Sequence, residues 1–142
     1  MISNTISAKN INVSFEFFPP KNKESIESLW ANIKRLEPLE PKFISVTYGA
    51  GGSIRNNTHN LVKEIKQKTS LTPAAHLTCI GTSKAEIESI AEDYWNSGIK
   101  HIVALRGDER ENKTENIFSD FTYATDLIKV LKKKFDFEIT VS

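Results

Sequence analysis

Residues 83–108 decide the fold of this chain, and they read SKAEIESIAEDYWNSGIKHIVALRGD. Ser83 and Glu86 have the spacing of a capping box, which predicts that a helix begins there. Apolar side chains then recur at intervals of three and four residues, and Gly98 is well placed to end the helix. Residues 100–105 end in the apolar run Ile-Val-Ala-Leu and predict a strand, which leads into a charged Arg-Gly-Asp segment. The stretch is therefore a helix and a strand with polar groups where the strand ends.

The same alternation extends along the rest of the chain. Further strands are predicted at residues 13–18, 42–48, 72–80 and 137–142. Further helices are predicted to begin near Asn22, near Asn56 or Asn57, and near Ser119, each followed by apolar residues at helical spacing. The order is βαβαβαβαβ, which is typical of an α/β fold with a parallel sheet and right-handed crossovers.

Two architectures share this order, an open doubly wound sheet and a (β/α)8 TIM barrel. The length of 142 residues favours the open sheet, because a complete barrel takes about 250 residues. The polar groups at successive strand ends favour the barrel, which would bring them to one mouth. In that case the chain supplies the first four βα units and strand five.

Composition and charge narrow the class of protein. Apolar residues make up 39% of the chain, and the net charge of +1 gives no strong field for nucleic acid or an acidic membrane. No apolar stretch approaches the roughly 20 residues that cross a bilayer. Residues 1–12 are polar and lack the apolar run of a signal peptide. We expect a single domain over residues 1–142, with a lead-in segment at 1–12, in the cytoplasm.

Glu16 lies among aromatic residues in the first predicted strand. A carboxylate buried in such surroundings should have a raised pKa, which suits a proton donor or acceptor near neutral pH. The alternative is a glutamate on the solvent face of an alternating strand. A parallel strand covered on both faces favours the first interpretation.

The ends of the other strands carry further polar groups. The glycine-rich residues 49–53 can approach an anion or a planar ring, or form only a tight turn. His76 and Cys79 lie three apart in a strand and point to opposite faces, so they cannot share a metal ion; a hydrogen-bonded core histidine is the plainer interpretation. Arg106 and Asp108 suit a binding loop or a local surface pair.

Five blocks of this sequence resemble the bacterial-type methylenetetrahydrofolate reductases, in the order and spacing of that family. The blocks are FEFFPPK at 15–21, FISVTYGAGGS at 43–53, AHLTC at 75–79, DYW at 93–95 and HIVALRGD at 101–108. The resemblance implies a TIM barrel that binds FAD without a Rossmann domain. NADH or NADPH would reduce the flavin. The reduced flavin would pass hydride to 5,10-methylenetetrahydrofolate, giving 5-methyltetrahydrofolate, in folate one-carbon metabolism and methionine biosynthesis. A homo-oligomer is also expected.

The resemblance also implies roles for individual residues. Glu16 matches the acid that protonates the folate and helps to form the reactive iminium. Asp108 matches an aspartate near the flavin and the pterin, where its charge can stabilise a developing cation. The positions that bind the flavin match Thr47, Tyr48, Ala50, His76, Arg106, Gly107, Asp108 and, on the fourth helix, Ala124. Thr47 also matches a residue that contacts the nicotinamide substrate. We expect no metal site.

Further FAD contacts and a folate-binding glutamine of the family lie on later strands, which have no positions in this chain. One alternative is therefore a catalytically incomplete fragment that binds nucleotide or only self-associates. A second alternative, from length alone, is an open flavodoxin-like receiver or FMN domain. A receiver has an acidic cluster after strand one, and a lone Glu16 argues against it.

Overall fold

The computed structural model describes residues 11–48, 52–108 and 120–141, with residues 52–55 described by their backbone only. Five strands alternate with four α-helices, and a short 3-10 helix at Glu37–Leu39 follows the first of them. The strands are β1 (Ser14–Phe17), β2 (Phe43–Val46), β3 (Pro73–Thr78), β4 (His101–Leu105) and β5 (Glu138–Val141). The helices are α1 (Lys23–Leu36), α2 (Gly52–Lys68), α3 (Lys84–Asn96) and α4 (Ala124–Lys134). The predicted element order is confirmed.

The sheet is parallel, and its strands lie side by side in the order in which they occur in the chain. A doubly wound sheet reverses its strand order at a switch point, whereas a TIM barrel adds each strand beside the previous one. The sequential order is therefore that of a partial TIM barrel. The preference for an open sheet that length alone suggested is wrong, because length does not record on which side of the sheet each crossover passes.

The two faces of the sheet differ in polarity. Residues in register across the strands share a face, and those of one face join side chains of all four helices in a single apolar core. The buried members of that core include Leu29, Ile33, Ile44, Val46, Leu61, Val62, Ile65, Ala75, Leu77, Ile87, Ala91, Tyr94, Ile102, Ala104, Leu127 and Leu131. The strands therefore pack their helices on one side, as the outer layer of a barrel does.

We call the other side the polar face, because it carries Glu16, Ser45, His76 and His101 in the register of the strands. Side chains from strands two apart converge there. The rings of Phe43 and His101 meet with centroids 4.4 Å apart, although β3 lies between their strands. Such convergence is expected on the concave side of a curved sheet, and it places the polar face inside the partial barrel.

Local capping confirms where two helices begin. The Asn22 side chain accepts a hydrogen bond from the backbone N–H of Ser25, and Ser25 accepts from the backbone N–H of Asn22. The Ser83 hydroxyl accepts from the backbone N–H of Glu86 at the start of α3. These side chains satisfy N–H groups that have no partner within the helix.

The predicted end of α3 is also confirmed. Gly98 has φ of +78°, its N–H donates to the carbonyl of Trp95, and the N–H of Ile99 donates to the carbonyl of Tyr94. This is a Schellman motif, in which a glycine in the left-handed region ends the helix. The chain then turns directly into β4.

The other two helices begin elsewhere than predicted. Helix α2 begins at Gly52 and not near Asn56 or Asn57, so the two predicted cap residues lie inside the helix; residues 49–51 of the predicted glycine-rich turn lie outside the described residues. Helix α4 begins at Ala124 with Tyr123 as its N-cap, and the predicted start at Ser119 lies outside the described residues. The carboxylate of Asp126 accepts from the N–H groups of Thr122 and Tyr123, which fixes the later start.

Most strands are shorter than predicted, by one or two residues at each end. Differences of this size are usual at the ends of secondary-structure elements. Ser142, the last residue of the predicted fifth strand, and most of the lead-in segment lie outside the described residues. Within the part that the structure describes, no helix combines the length and the apolar character needed to cross a membrane.

Candidate functional site

The candidate site lies at the carboxyl edge of the sheet, where β1 to β4 end. Thr47 and Tyr48 directly follow β2, and Arg106, Gly107 and Asp108 directly follow β4. Glu16, His76 and Ala124 belong to β1, β3 and the first turn of α4, respectively. Ala50 lies outside the described residues. Because the strands are parallel, their ends share one edge, so the structure brings the described candidate residues of four strands to that edge.

Glu16 reaches across β2 to meet His76. Its Oε2 atom lies 3.1 Å from Nε2 of His76 and accepts a hydrogen bond of 3.4 Å from the hydroxyl of Ser45, on the strand between them. The Glu16 side chain is 52% exposed. The expected burial among aromatic side chains is therefore wrong, because Phe15 and Phe17 point to the helix side while Glu16 points to the polar face.

His76 is buried, and burial lowers the pKa of its imidazole below the ordinary value of 6.5, while the neighbouring Glu16 carboxylate opposes this shift. The imidazole is therefore neutral at pH 7. Its Nε2 atom is buried and has no well-aligned hydrogen bond to any described group, in spite of the short distance to Glu16. Since buried polar atoms nearly always have a partner, a ligand atom could supply the one that this nitrogen lacks.

Arg106 is held by backbone contacts from two neighbouring segments. Its Nε donates a hydrogen bond of 3.1 Å to the carbonyl of Thr122, just before α4. Its own carbonyl accepts a bond of 2.9 Å from the N–H of Ile80, just after β3. The loop that carries Arg106 is therefore fixed between the end of β3 and the start of α4.

Gly107 occupies a position that only glycine fits. Its φ is +83°, and a Cβ placed there would lie 2.9 Å from Cγ2 of Ile80 and 3.0 Å from Cβ of Thr78. The second of these atoms is fixed to the β3 backbone and cannot swing away. The loop after β4 therefore packs directly against the end of β3, at a distance that a side chain would prevent.

Cys79 lies on the helix side of the sheet, away from His76. Its thiol is fully buried in the apolar core, 3.7 Å from the carbonyls of both Arg106 and Tyr123. Burial raises the pKa of this thiol, so the uncharged form dominates. The prediction that His76 and Cys79 face opposite sides of the strand is confirmed. Among the residues that the structure describes, no cluster of three histidine, cysteine or acidic side chains could hold a metal ion.

Comparison with known proteins extends the resemblance of the five sequence blocks to the whole chain. The family model described as "Methylenetetrahydrofolate reductase" matches residues 1–142. The chain belongs to the methylenetetrahydrofolate reductase family.

Individual relatives in this family are proteins named 5,10-methylenetetrahydrofolate reductase. The relative from Escherichia coli strain K12 is 52% identical over 134 residues, which is 93% of this chain and 43% of that protein. The relative from Pectobacterium carotovorum is 51% identical over 133 residues, again 93% of this chain and 43% of the relative. The relative from Buchnera aphidicola subsp. Acyrthosiphon pisum is 50% identical over 133 residues, which is 94% of this chain and 44% of that protein. The chain thus spans less than half the length of these relatives.

Sequence reasoning missed four residues that support the site of this methylenetetrahydrofolate reductase family member. Ser45 contacts Glu16, Thr58 donates to the carbonyl of Thr47, and the rings of His59 and Tyr94 stand behind Tyr48. Ser45 could have been found from the sequence, because it lies beside Glu16 once the first two strands are paired in register. The other three lie on helices, and only the tertiary structure brings them to the site.

Proposed function

We propose that this chain forms the first half of the active site of an FAD-dependent reductase. The reaction would reduce 5,10-methylenetetrahydrofolate to 5-methyltetrahydrofolate at the expense of NADH or NADPH. The observation that carries the proposal is the group formed by Glu16, Ser45 and His76, at the same edge of the sheet as the Arg106 loop, in a chain whose relatives bear the name of this enzyme. The proposal treats residues 1–142 as one domain, the first half of the barrel.

The residues at the carboxyl edge fit FAD. The buried Nε2 atom of His76 can hydrogen-bond a polar atom of the cofactor. The guanidinium of Arg106 is held by Thr122 and suits an anionic group such as a diphosphate or a reduced ring. The backbone at Gly107 carries no side chain that could block a planar ring. Thr47, Tyr48, Ala50, Asp108 and Ala124 are proposed to complete the contacts. When bound, the flavin supplies the hydride transfer.

Glu16 is the residue proposed to hold and donate a proton. Its half-exposed carboxyl group stands on the concave polar face, where a folate could reach it. The Ser45 hydroxyl donates to one of its oxygens, and the His76 ring stands beside that oxygen, so the group is oriented before the substrate arrives. A proton given from this carboxyl to the folate would favour opening to the iminium. Asp108, exposed at the same edge, would stabilise the positive charge that develops.

The experiment is a product assay on the purified chain mixed with the remaining segment of the Escherichia coli relative, which supplies the second half of the barrel, in the presence of FAD, NADH or NADPH, and 5,10-methylenetetrahydrofolate. The matched pair of variants is Glu16→Gln, which keeps the shape and removes the acid, and Glu24→Gln, on the exposed surface of α1. The proposal predicts 5-methyltetrahydrofolate from the wild type and from Glu24→Gln. Glu16→Gln should lose about two to four orders of magnitude of rate, the usual contribution of a general acid. Equal rates in the two variants would refute the role of Glu16.

A second function follows from the share of the relatives that the chain covers. Since it spans 43% of the Escherichia coli protein, the chain can be a partner that binds FAD or another copy of itself without turnover. Retained flavin without product would favour this alternative. Sedimentation velocity over a range of concentrations would test self-association independently of the flavin.

A further inference from the structure

We propose that Thr58 and His59 of α2 are positioning residues for the cofactor site, an inference that rests on the proposed function. Neither residue was a candidate from the sequence, and both support residues that were. Thr58 fixes the backbone of Thr47, and His59 supports the ring of Tyr48. We call Thr58 and His59 the α2 clamp.

Thr58 fixes the backbone where β2 ends. Its side chain is fully buried, and its hydroxyl donates a hydrogen bond of 2.9 Å to the carbonyl of Thr47. The N–H of Thr47 donates to the carbonyl of Phe17, at the end of β1, also at 2.9 Å. Both backbone polar groups of Thr47 are therefore bonded, one to a strand and one to a helix. This leaves the backbone of Thr47 little freedom to rotate.

His59 supports the ring of Tyr48 from the side of the helices. The two rings are stacked, with centroids 5.7 Å apart and planes 23° apart. The opposite neighbour of His59 is Tyr94 of α3, which meets it edge-on with centroids 5.0 Å apart. Tyr94 is fully buried in the core that binds α3 to the sheet. The Tyr48 ring thus connects through His59 to a rigid part of the fold.

The α2 clamp therefore acts on two consecutive residues at the carboxyl edge. A binding site gains affinity and rate when its groups are already held in the bound geometry, because less freedom is lost on binding. Loss of the clamp should leave the chain folded but allow Thr47 and Tyr48 to sample other positions. The effect should appear first in the affinity for FAD, which the proposal places against both residues.

Tyrosine resonances give a test that does not depend on FAD. The chain has three tyrosines, at positions 48, 94 and 123. Incorporation of 3-fluorotyrosine should give three fluorine NMR signals, and single Tyr→Phe variants would assign them. His59→Leu should shift and broaden the Tyr48 signal, while His59→Phe, which keeps a ring at this place, should restore most of it. His101→Leu is the control, because it removes a more deeply buried histidine ring at the opposite end of the sheet.

Thr58 gives an independent pair of variants. Thr58→Val removes the donor to the Thr47 carbonyl and keeps the shape, while Thr58→Ser keeps the donor. FAD affinity, measured by the quenching of flavin fluorescence, should fall roughly tenfold or more in Thr58→Val and His59→Leu, a change of about 1.4 kcal/mol or more. Thr58→Ser, His59→Phe and His101→Leu should stay close to the wild type.

The outcomes separate this inference from the proposed function. An unchanged Tyr48 signal in His59→Leu would overturn the α2 clamp, whatever the flavin does. A wild type that takes up no FAD would refute the proposed function of the chain, and the Tyr48 signal would then decide on the clamp by itself. Equal loss of affinity in His59→Leu and His101→Leu would show a general effect of stability and would also overturn the inference.

Discussion

Replacement of Gly107 by alanine should destabilise this chain much more than the same change at Gly98. The two glycines have nearly the same backbone conformation, with φ of +83° and +78°. Their surroundings differ. A Cβ at Gly107 would lie 2.9 Å from Cγ2 of Ile80 and 3.0 Å from Cβ of Thr78, whereas at Gly98 the nearest atom is Cε of Lys66 at 3.6 Å. The pair therefore separates backbone strain from steric overlap.

The magnitude follows from these two contributions. A residue with a Cβ in the left-handed region costs about 1–2 kcal/mol, and this applies to both positions. Overlap with atoms that cannot move adds about 1–3 kcal/mol, and this applies only to Gly107, where the contact is with a strand. Gly98→Ala should thus lower the free energy of unfolding by about 1–2 kcal/mol, and Gly107→Ala by about 2–5 kcal/mol.

The assay is urea unfolding followed by circular dichroism, with wild type and both variants at the same pH. In a chain that already carries Ile80→Ala, the change Gly107→Ala should lower the free energy of unfolding by less than it does in the wild type. The reason is that Ile80→Ala removes the Cγ2 atom that would overlap with the new Cβ. Equal destabilisation by Gly98→Ala and Gly107→Ala would refute the packing of the loop after β4 against the end of β3. The Arg106 loop would then not be held against the end of β3 as described above.

Three further predictions test the caps, the buried histidines and the core beneath the site. Asn22→Ala should lower the free energy of unfolding by about 1 kcal/mol through loss of the α1 cap, whereas Asn32→Ala, in the exposed middle of the same helix, should not lower it in urea unfolding. Burial lowers the pKa of His76 and His101 below 6.5, so the unfolded chain binds more protons. Their contribution to stability should be complete above pH 6.5 and decline as the pH falls below it. The urea concentration at the midpoint of unfolding should be lower below pH 6.5 than above it, and this difference should be smaller in His101→Gln. A midpoint that is the same on both sides of pH 6.5 would contradict the prediction. Cys79, which is fully buried, should react with a thiol reagent only after unfolding, and rapid labelling of the native chain would contradict its place in the core.

The elements that could be predicted from the sequence are those set by neighbouring residues. Ser83 and Gly98 lie within one turn of the groups they satisfy, so the ends of α3 were predicted correctly. The start of α4 was predicted wrongly. Asp126, which lies inside the helix, accepts a hydrogen bond from the N–H of Tyr123, and this makes Tyr123 the N-cap residue. A side chain that reaches back competes with a cap that precedes it, and sequence alone does not say which prevails.

The environment of Glu16 could not be predicted for a different reason. A parallel strand normally has helices on both faces, which led to the expectation of a buried carboxylate. In a barrel the inner face carries no helices, so a residue on the polar face can remain half exposed. The α2 clamp depends on the docking of two helices behind Tyr48, and no spacing in the sequence reports this docking.

The measurement that tests the central claim most directly is the visible absorption spectrum of the chain after purification with excess FAD and desalting. Arg106→Ala would serve as the comparison, since Arg106 is proposed to bind the cofactor and lies in an anchored loop. The account predicts a flavin spectrum that the wild type retains and that Arg106→Ala largely loses. A colourless wild type with the circular dichroism of a folded α/β protein would contradict the claim that this carboxyl edge binds FAD.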